Sequence, residues 1–494
     1  MSYTGSLWTA TPDTLPVADK VEELPMKVLL VTLEDPEASM TGVAMYVRNL
    51  SNALAGLGFE IAHCFGRGPK AGRPSIAWTV RDTRTIATLS NGPPLRQFPP
   101  DRAGRDVAHP GSEEMFVDVL RAIRPDVVHI HDLTGLPANV VATTRRRGCG
   151  VVMTLHDFWA FCRQQFLLRP GLIMCDGSAG GHHCARFCSA RPPRLRRLAN
   201  RLEGREVWFP LRHAVRAARS LRGRLHGGVR SQFQLPAVAS GVPWPNPSTI
   251  AAYAAREAAM RERVLQAHVL LTVSLFAKSM YVRHGYPADR LRVEPLPTTA
   301  SDGVRWRLRE FRAYPIRFGF LGKVSPHKGA HLLAEAVAAI PSHRVRCTFY
   351  GDVHQDDRRF LLALAGHHPG VRFAGRYTPD QLPAILDDVD VAVLPSVMRE
   401  TRGLVGLEAQ AARLPIIASD GGALPEYVQH EVNGLLFSSG SAAALRAALL
   451  RIVEEPAMIS RLSRHVPPPE RMADHAGRIV CAYGEAKRLS ARSA

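Results

Sequence analysis

Apolar runs of strand length recur along this chain, and most are followed by stretches whose apolar positions fall three and four apart. The first run is 26–33. An unbroken apolar strand is what a parallel sheet buried on both faces requires. Val47, Leu50, Leu54 and Leu57 then make a helix stripe within 41–58. A second strand begins at 59–64. Residues 66–110 are rich in Gly, Pro and Arg and predict strand-and-loop excursions. A helix over 115–123 is stopped by Arg124 and Pro125. Strands follow at 126–131, 151–156 and 268–274, with helices over 249–266 and from Ser274 through Val282. The run 291–297 closes a first domain, and 298–314 forms a hinge. A second series has strands at 316–322, 345–351, 371–375, 388–395, 415–422 and 433–437. Its helices cover 329–340, 407–413 and 442–453, and a last helix covers 471–488. Strand–helix alternation run twice through 494 residues predicts an α/β chain of two doubly wound domains.

The charged residues at the strand ends suggest chemistry. Glu400 and Glu408 stand with seven residues between them, the first in a loop after a buried strand and the second in the next helix. In an open α/β sheet that crevice is where ligands bind. Gly403 permits close backbone approach, and the amides of Gly403, Leu404 and Val405 point out of a helix N-terminus, which suits an anion. Lys323 and Lys328 bracket a loop that ends at Gly329, where another helix starts. Two cations and a helix N-terminus are what a diphosphate leaving group needs. Gly42 opens the first helix, where a small residue lets phosphate approach. His131 and His156 end their strands and are both expected to face the cleft. Asp388 and Asp390 sit at the entry of their strand, the wrong end for a metal-binding pair.

Two stretches, Phe318 to Gly329 (FGFLGKVSPHKG) and the run from Asp388 to Phe437, resemble the retaining nucleotide-sugar glycosyltransferases of family 4. The resemblance covers most of 26–490. It implies the GT-B architecture: two Rossmann-like, doubly wound domains facing across a cleft. The implied division is a tail, 1–25; an acceptor-side domain, 26–298, with a Cys- and Arg-rich insertion at 158–235; a donor-binding domain, 313–465; and a C-terminal segment, 466–494, whose helix crosses back. It further implies that His156, not His131, touches the donor sugar, with Asp157 beside it. Glu400 holds sugar hydroxyls, Lys328 meets the leaving diphosphate, and Glu408 takes the ribose. Transfer is expected to retain configuration by front-side attack and to need no divalent metal. The sequence departs from the family's pattern twice. Lys323 replaces an arginine, keeping the charge without the fork, and Arg413 replaces a glycine at a helix end. Two other functions share these features: a nucleotide-sugar 2-epimerase on the same fold, and a basic protein that binds membrane or nucleic acid.

Charge and cysteine change the picture in two places. The net charge of +19 asks for an acidic partner. Residues 191–230 hold twelve arginines, no lysine and two glutamates, punctuated by leucines and a Val-Trp-Phe group. That pattern favours docking on an anionic membrane surface or receiving a lipid-phosphate acceptor; the family resemblance leaves a glycan, lipid-linked or small-molecule acceptor open. It lacks the regular aromatic platforms of single-strand nucleic-acid binding. No apolar run reaches the roughly 18 residues of a membrane span, and no secretory signal is evident, so the expected location is the cytoplasm, peripheral on the membrane. Cys162, Cys175, Cys184 and Cys188 cluster within one insertion, after the Thr154-to-Trp159 run. Four thiols there predict a structural zinc site, ahead of an iron–sulfur cluster, because so small an insert cannot build its own core.

Overall fold

A computed structural model describes residues 26–66, 75–93, 104–188, 232–233, 245–300 and 303–492. The tail 1–25 and the arginine-rich stretch 191–230 lie outside the described residues. In the first domain the strands are β1 (Lys27–Thr32), β2 (Glu60–Gly66), β3 (Ser75–Arg81), β4 (Arg84–Ser90), β5 (Val127–Ile130), β6 (Gly150–Leu155), β9 (Val269–Thr272) and β10 (Leu291–Val293). They form one sheet in the order β10-β9-β6-β5-β1-β2-β4-β3. Every pairing is parallel except β3 with β4. These two turn through Asp82 and Thr83, both at positive φ (48° and 68°), the backbone that suits a two-residue hairpin. A two-stranded ribbon, β7 (Leu168–Arg169) with β8 (Ile173–Met174), stands apart.

The apolar runs of β1, β5 and β6 are buried because helices cover both faces of the sheet. On one face lie α2 (Pro110–Ile123), α3 (Asn139–Arg146) and α4 (Pro247–Val264). On the other lie α1 (Gly42–Gly56) and the C-terminal helix, Met472–Ala491. That helix returns from the second domain to pack Ile479, Val480 and Tyr483 into the core over β5, β6 and β9. Its Tyr483 hydroxyl lies 2.8 Å from His129 Nδ1. Its His475 stands between the Tyr46 hydroxyl at 2.8 Å and Glu294 at 3.0 Å.

The second domain is a six-stranded, all-parallel sheet in the order β13-β12-β11-β14-β15-β16. Its strands are β11 (Ile316–Leu321), β12 (Val345–Tyr350), β13 (Val371–Gly375), β14 (Val391–Leu394), β15 (Ile416–Ser419) and β16 (Gly434–Phe437). Asp390 and Asp388 pair with Arg317 at the entry ends of β14 and β11, away from the strand ends that hold the cleft. Arg413 adopts the left-handed conformation (φ 57°), and its guanidinium caps the carbonyls of Ser463 and Arg464. The carboxyl ends of β1, β6, β11 and β14 all open on one cleft between the domains. No helix among the described residues is long and apolar enough to cross a membrane.

Candidate active site

The cleft has a volume of about 1350 Å³ and takes walls from both domains. Gly42 and His156 line it from the first domain; Lys323, Lys328, Glu400, Gly403, Leu404, Val405 and Glu408 line it from the second. The domains touch closely here. A Cβ on Gly42 would stand 2.9 Å from the Leu404 side chain. Thr401 Oγ1 donates to the His156 carbonyl at 2.7 Å. Glu426 accepts the N–H groups of Leu275 (3.1 Å) and Phe276 (2.7 Å), where helix α5 (Leu275–Arg283) begins in the first domain.

Two loops of the second domain bring the charges together. The first leaves β11, passes Lys323, and makes a 3-10 turn over Pro326–Lys328 before α6 (Ala330–Val337). The second leaves β14 and reaches Glu400. The His327 carbonyl accepts the N–H groups of Val397 and Met398, both at 3.0 Å, which pins one loop to the other. Gly329 turns at positive φ (74°), and a Cβ there would lie 1.7 Å from the Pro395 carbonyl oxygen, so only glycine fits. Lys328 Nζ consequently sits 2.7 Å from Glu400 Oε1, and Ser396 Oγ donates to the same oxygen at 2.6 Å. Burial pushes the Glu400 carboxyl up, but Lys328 beside it and these hydrogen bonds outweigh burial and hold it below the ordinary carboxylate range. Lys323 is exposed at the cleft mouth.

The helix bearing Glu408, Leu404–Ala411, begins at Gly403, whose φ of 73° turns the chain into it, and no side chain caps its N-terminus. Its first amides therefore lie where an anion would meet them. Glu408 is buried on the same helix, and its Oε1 accepts a 2.7 Å hydrogen bond from Thr299 of the hinge. Burial pushes its carboxyl up to about 7, with Thr299 offsetting part of the rise. Thr299 and Ser396 escaped the sequence reading. Ser396 carried a signal, a hydroxyl right after the strand's terminal proline; Thr299, 109 residues from its partner, carried none.

His156 follows β6 and reaches the cleft wall. Burial, and after it the His475 ring, push its pKa down to about 3, so it stands neutral and serves as a hydrogen-bonding group rather than an acid. Asp157 also lines the cleft, and its Oδ1 accepts the Trp159 N–H at 2.7 Å. His131 departs from expectation. It is buried behind His156, and its Nδ1 lies 3.1 Å from His156 Nε2, one of the two nitrogens donating. The reason is that His131 still belongs to the sheet: its N–H extends the ladder to Val31 O at 2.9 Å, and its ring packs at 3.9 Å on His129.

Cys162, Cys175 and Cys184 are buried and Cys188 is partly so; all four are free thiols. Among the described residues no group of three or more His, Cys, Asp or Glu side chains is arranged to hold a metal ion.

Comparison with known proteins meets this geometry on both domains. The family model described as Glycosyltransferase Family 4 matches residues 40–214, and that described as Glycosyl transferases group 1 matches 315–455. The first takes in Gly42 and His156, the second both lysines and both glutamates. The chain is a GT4-type glycosyltransferase. Among relatives of this glycosyltransferase, a glycogen synthase of Mycobacterium tuberculosis (strain CDC 1551 / Oshkosh) is 25% identical over 459 residues, 89% of each chain. A D-inositol 3-phosphate glycosyltransferase of Corynebacterium glutamicum (strain R) is 28% identical over 206 residues, 38% of this chain and 49% of its own. A sucrose-phosphate synthase from Thermosynechococcus elongatus superposes with a TM-score of 0.57 at 18% identity, covering 95% of this chain and 98% of that one. HepE from Anabaena, solved with UDP and glucose, gives 0.53 at 14% identity, with 94% and 99% covered. The glycosyltransferase thus has the GT-B fold.

Proposed function

We propose that this glycosyltransferase moves a hexosyl group from a nucleoside-diphosphate sugar to a hydroxyl of a glycan or lipid-linked acceptor, with retention of configuration. The observation that carries the reading is the Lys328–Glu400 pair beside the Gly403 helix start, facing His156 across one cleft. Lys328, Lys323 and the amides of 403–405 take the diphosphate, and their positive charge meets the charge that grows on it as the bond to the sugar breaks. Two lysines and a helix N-terminus stand where a divalent metal would otherwise neutralise that charge, so transfer proceeds without one. Glu400, ionised, accepts from sugar hydroxyls, and neutral His156 fixes the sugar from the other side. Glu408 exchanges Thr299 for the ribose hydroxyls. The acceptor oxygen attacks the anomeric carbon on the face the phosphate leaves, and its proton passes to the departing phosphate oxygen. That assignment asks no protein side chain to serve as nucleophile. The arginines of 191–230 are proposed to hold the enzyme on anionic membrane, a reading that rests on sequence alone; flotation with anionic vesicles that fails at low salt would remove it.

The test is a donor panel of uridine, adenosine and guanosine diphosphate sugars, read by mass spectrometry of the products and by NMR of the new anomeric linkage, with and without EDTA. The reading expects one donor class consumed, the donor's anomeric configuration kept, and no loss with chelator. Inversion, or abolition by EDTA, would overturn the mechanism.

A further inference from the structure

Residues 157–188 hold little regular structure: the short ribbon β7–β8 and one π-helical turn, Cys184–Cys188. Backbone hydrogen bonds nonetheless gather the cysteines. Cys162 N–H donates to Phe158 O at 2.6 Å and Gln165 N–H donates to Cys162 O at 3.0 Å, a tight turn around Cys162. Cys175 N–H donates to Leu167 O at 2.8 Å, bringing the second cysteine to the same place. The Cys162 sulfur accepts backbone N–H groups of Gln164 and Leu167. The π turn sets Cys184 and Cys188 four residues apart on one face, and it packs on Tyr253 of α4. Tyr253 in turn accepts from Arg163, the neighbour of Cys162. Each sulfur therefore lies within electrostatic reach of the other three.

As the chain stands, the Cys175 thiol donates to the Gly177 carbonyl at 3.3 Å, a bond that metal ligation would replace. The surroundings are cationic. Arg163 and Arg169 act on Cys188, and Arg256 acts on Cys184. Arg169 Nε is buried without a hydrogen-bond partner. Four thiolates around a divalent ion carry a net charge of −2, which Arg163 and Arg169 would balance; Arg256 is already paired with Asp106. As the side chains stand, the sulfurs are not drawn in to ligating separation, so loading requires them to close around the ion.

We propose that Cys162, Cys175, Cys184 and Cys188 are the ligands of one thiophilic metal ion, zinc by its preference for four tetrahedral thiolates, and that this ion staples a clamp across the donor cleft. The clamp has two contacts. Phe166, four residues after Cys162, stacks on His327 with rings 5.4 Å apart and 8° from parallel. Asp176, next to Cys175, pairs with Arg399 at 2.8 Å. His327 adjoins Lys328 and Arg399 adjoins Glu400, so both contacts press on the loops that carry the cleft's ion pair. The clamp rests on the donor-site reading above; the metal site does not.

The experiment is elemental analysis of the full chain, purified without chelator, beside the double variant Cys184→Ser/Cys188→Ser and the control Cys481→Ser on the C-terminal helix. About one zinc per chain is expected in wild type and control, and close to none in the double variant. Iron with visible absorbance would uphold the site and change the ion. Folded wild type without either metal, or a double variant as loaded as wild type, overturns the proposal. If the double variant does not fold, an organomercurial titration of wild type decides: one zinc released per four thiols modified supports the site, and no release overturns it. Donor Kd should rise several-fold in the metal-free protein and in Asp176→Ala alike. Metal loss with donor Kd unchanged overturns the clamp and leaves the site standing.

Discussion

Lowering the pH from 8 to 6 should loosen the donor, and Glu408 sets by how much. Its carboxyl is buried, at 5% exposure, and its pKa stands at about 7 in the free enzyme. Ribose hydroxyls donate into the ionised form, so the bound donor lowers that pKa. Below pH 7 the free enzyme then holds more protons than the complex. Affinity must therefore fall as pH falls through 7 and level off above it. With a pKa of about 7, roughly nine-tenths of the group is charged at pH 8 and one-tenth at pH 6, which raises donor Kd about tenfold. Glu408→Gln removes the titrating group. Its Kd should be flat with pH and exceed the wild-type value at pH 8 by roughly ten- to 150-fold, the equivalent of the 1.5–3 kcal/mol of a hydrogen bond to a charged acceptor. The assay is titration calorimetry with intact nucleotide sugar, whose diphosphate has no proton to lose in this range, in buffers of different ionisation enthalpy. Wild-type Kd that is flat between pH 6 and 8, or a Gln variant that keeps the tenfold slope, would refute the reasoning.

Three further outcomes are open to measurement. Gly329→Ala must push the Pro395 carbonyl aside at a left-handed turn; we expect a loss of more than about 1 kcal/mol in denaturant melts and weaker donor binding. His131→Ala removes the partner 3.1 Å from His156, so kcat should fall more than donor KM changes, with His131→Asn recovering part of the rate. Glu426→Ala uncaps Leu275 and Phe276 across the domain boundary and should cost about 1 kcal/mol in a urea melt, while leaving kcat near wild type.

The fold was largely legible because its signals are local. The apolar runs at β1, β5 and β6 are long enough to be buried on both faces, and they are. Arg413 stands where the family's pattern has a helix-ending glycine, and it keeps the left-handed backbone that glycine suits, with φ 57°. Helix α3 was not legible. Its eight residues, NVVATTRR, bury Thr143 and Thr144 beside two valines, a pattern set by packing on α2 and α4 rather than by an apolar stripe. The grouping of Lys323, Lys328, Glu400 and Glu408 at one cleft could be read from strand ends and spacing. What could not be read was depth and distant partnership. The sequence places His131 and His156 alike at strand ends, yet one extra ladder bond keeps His131 behind the other ring. Thr299 meets Glu408, and Phe166 meets His327, only because two domains close on each other.

The central claim is that Lys328 meets charge growing on a leaving diphosphate, and steady-state turnover of Lys328→Met tests it most directly. With the donor identified from the panel, kcat should fall by roughly ten- to 150-fold, with donor KM changing less, in protein whose melt matches wild type. A folded Lys328→Met enzyme that turns over at the wild-type rate, or a wild-type enzyme that consumes no nucleotide sugar with any sugar or alcohol acceptor, would contradict it.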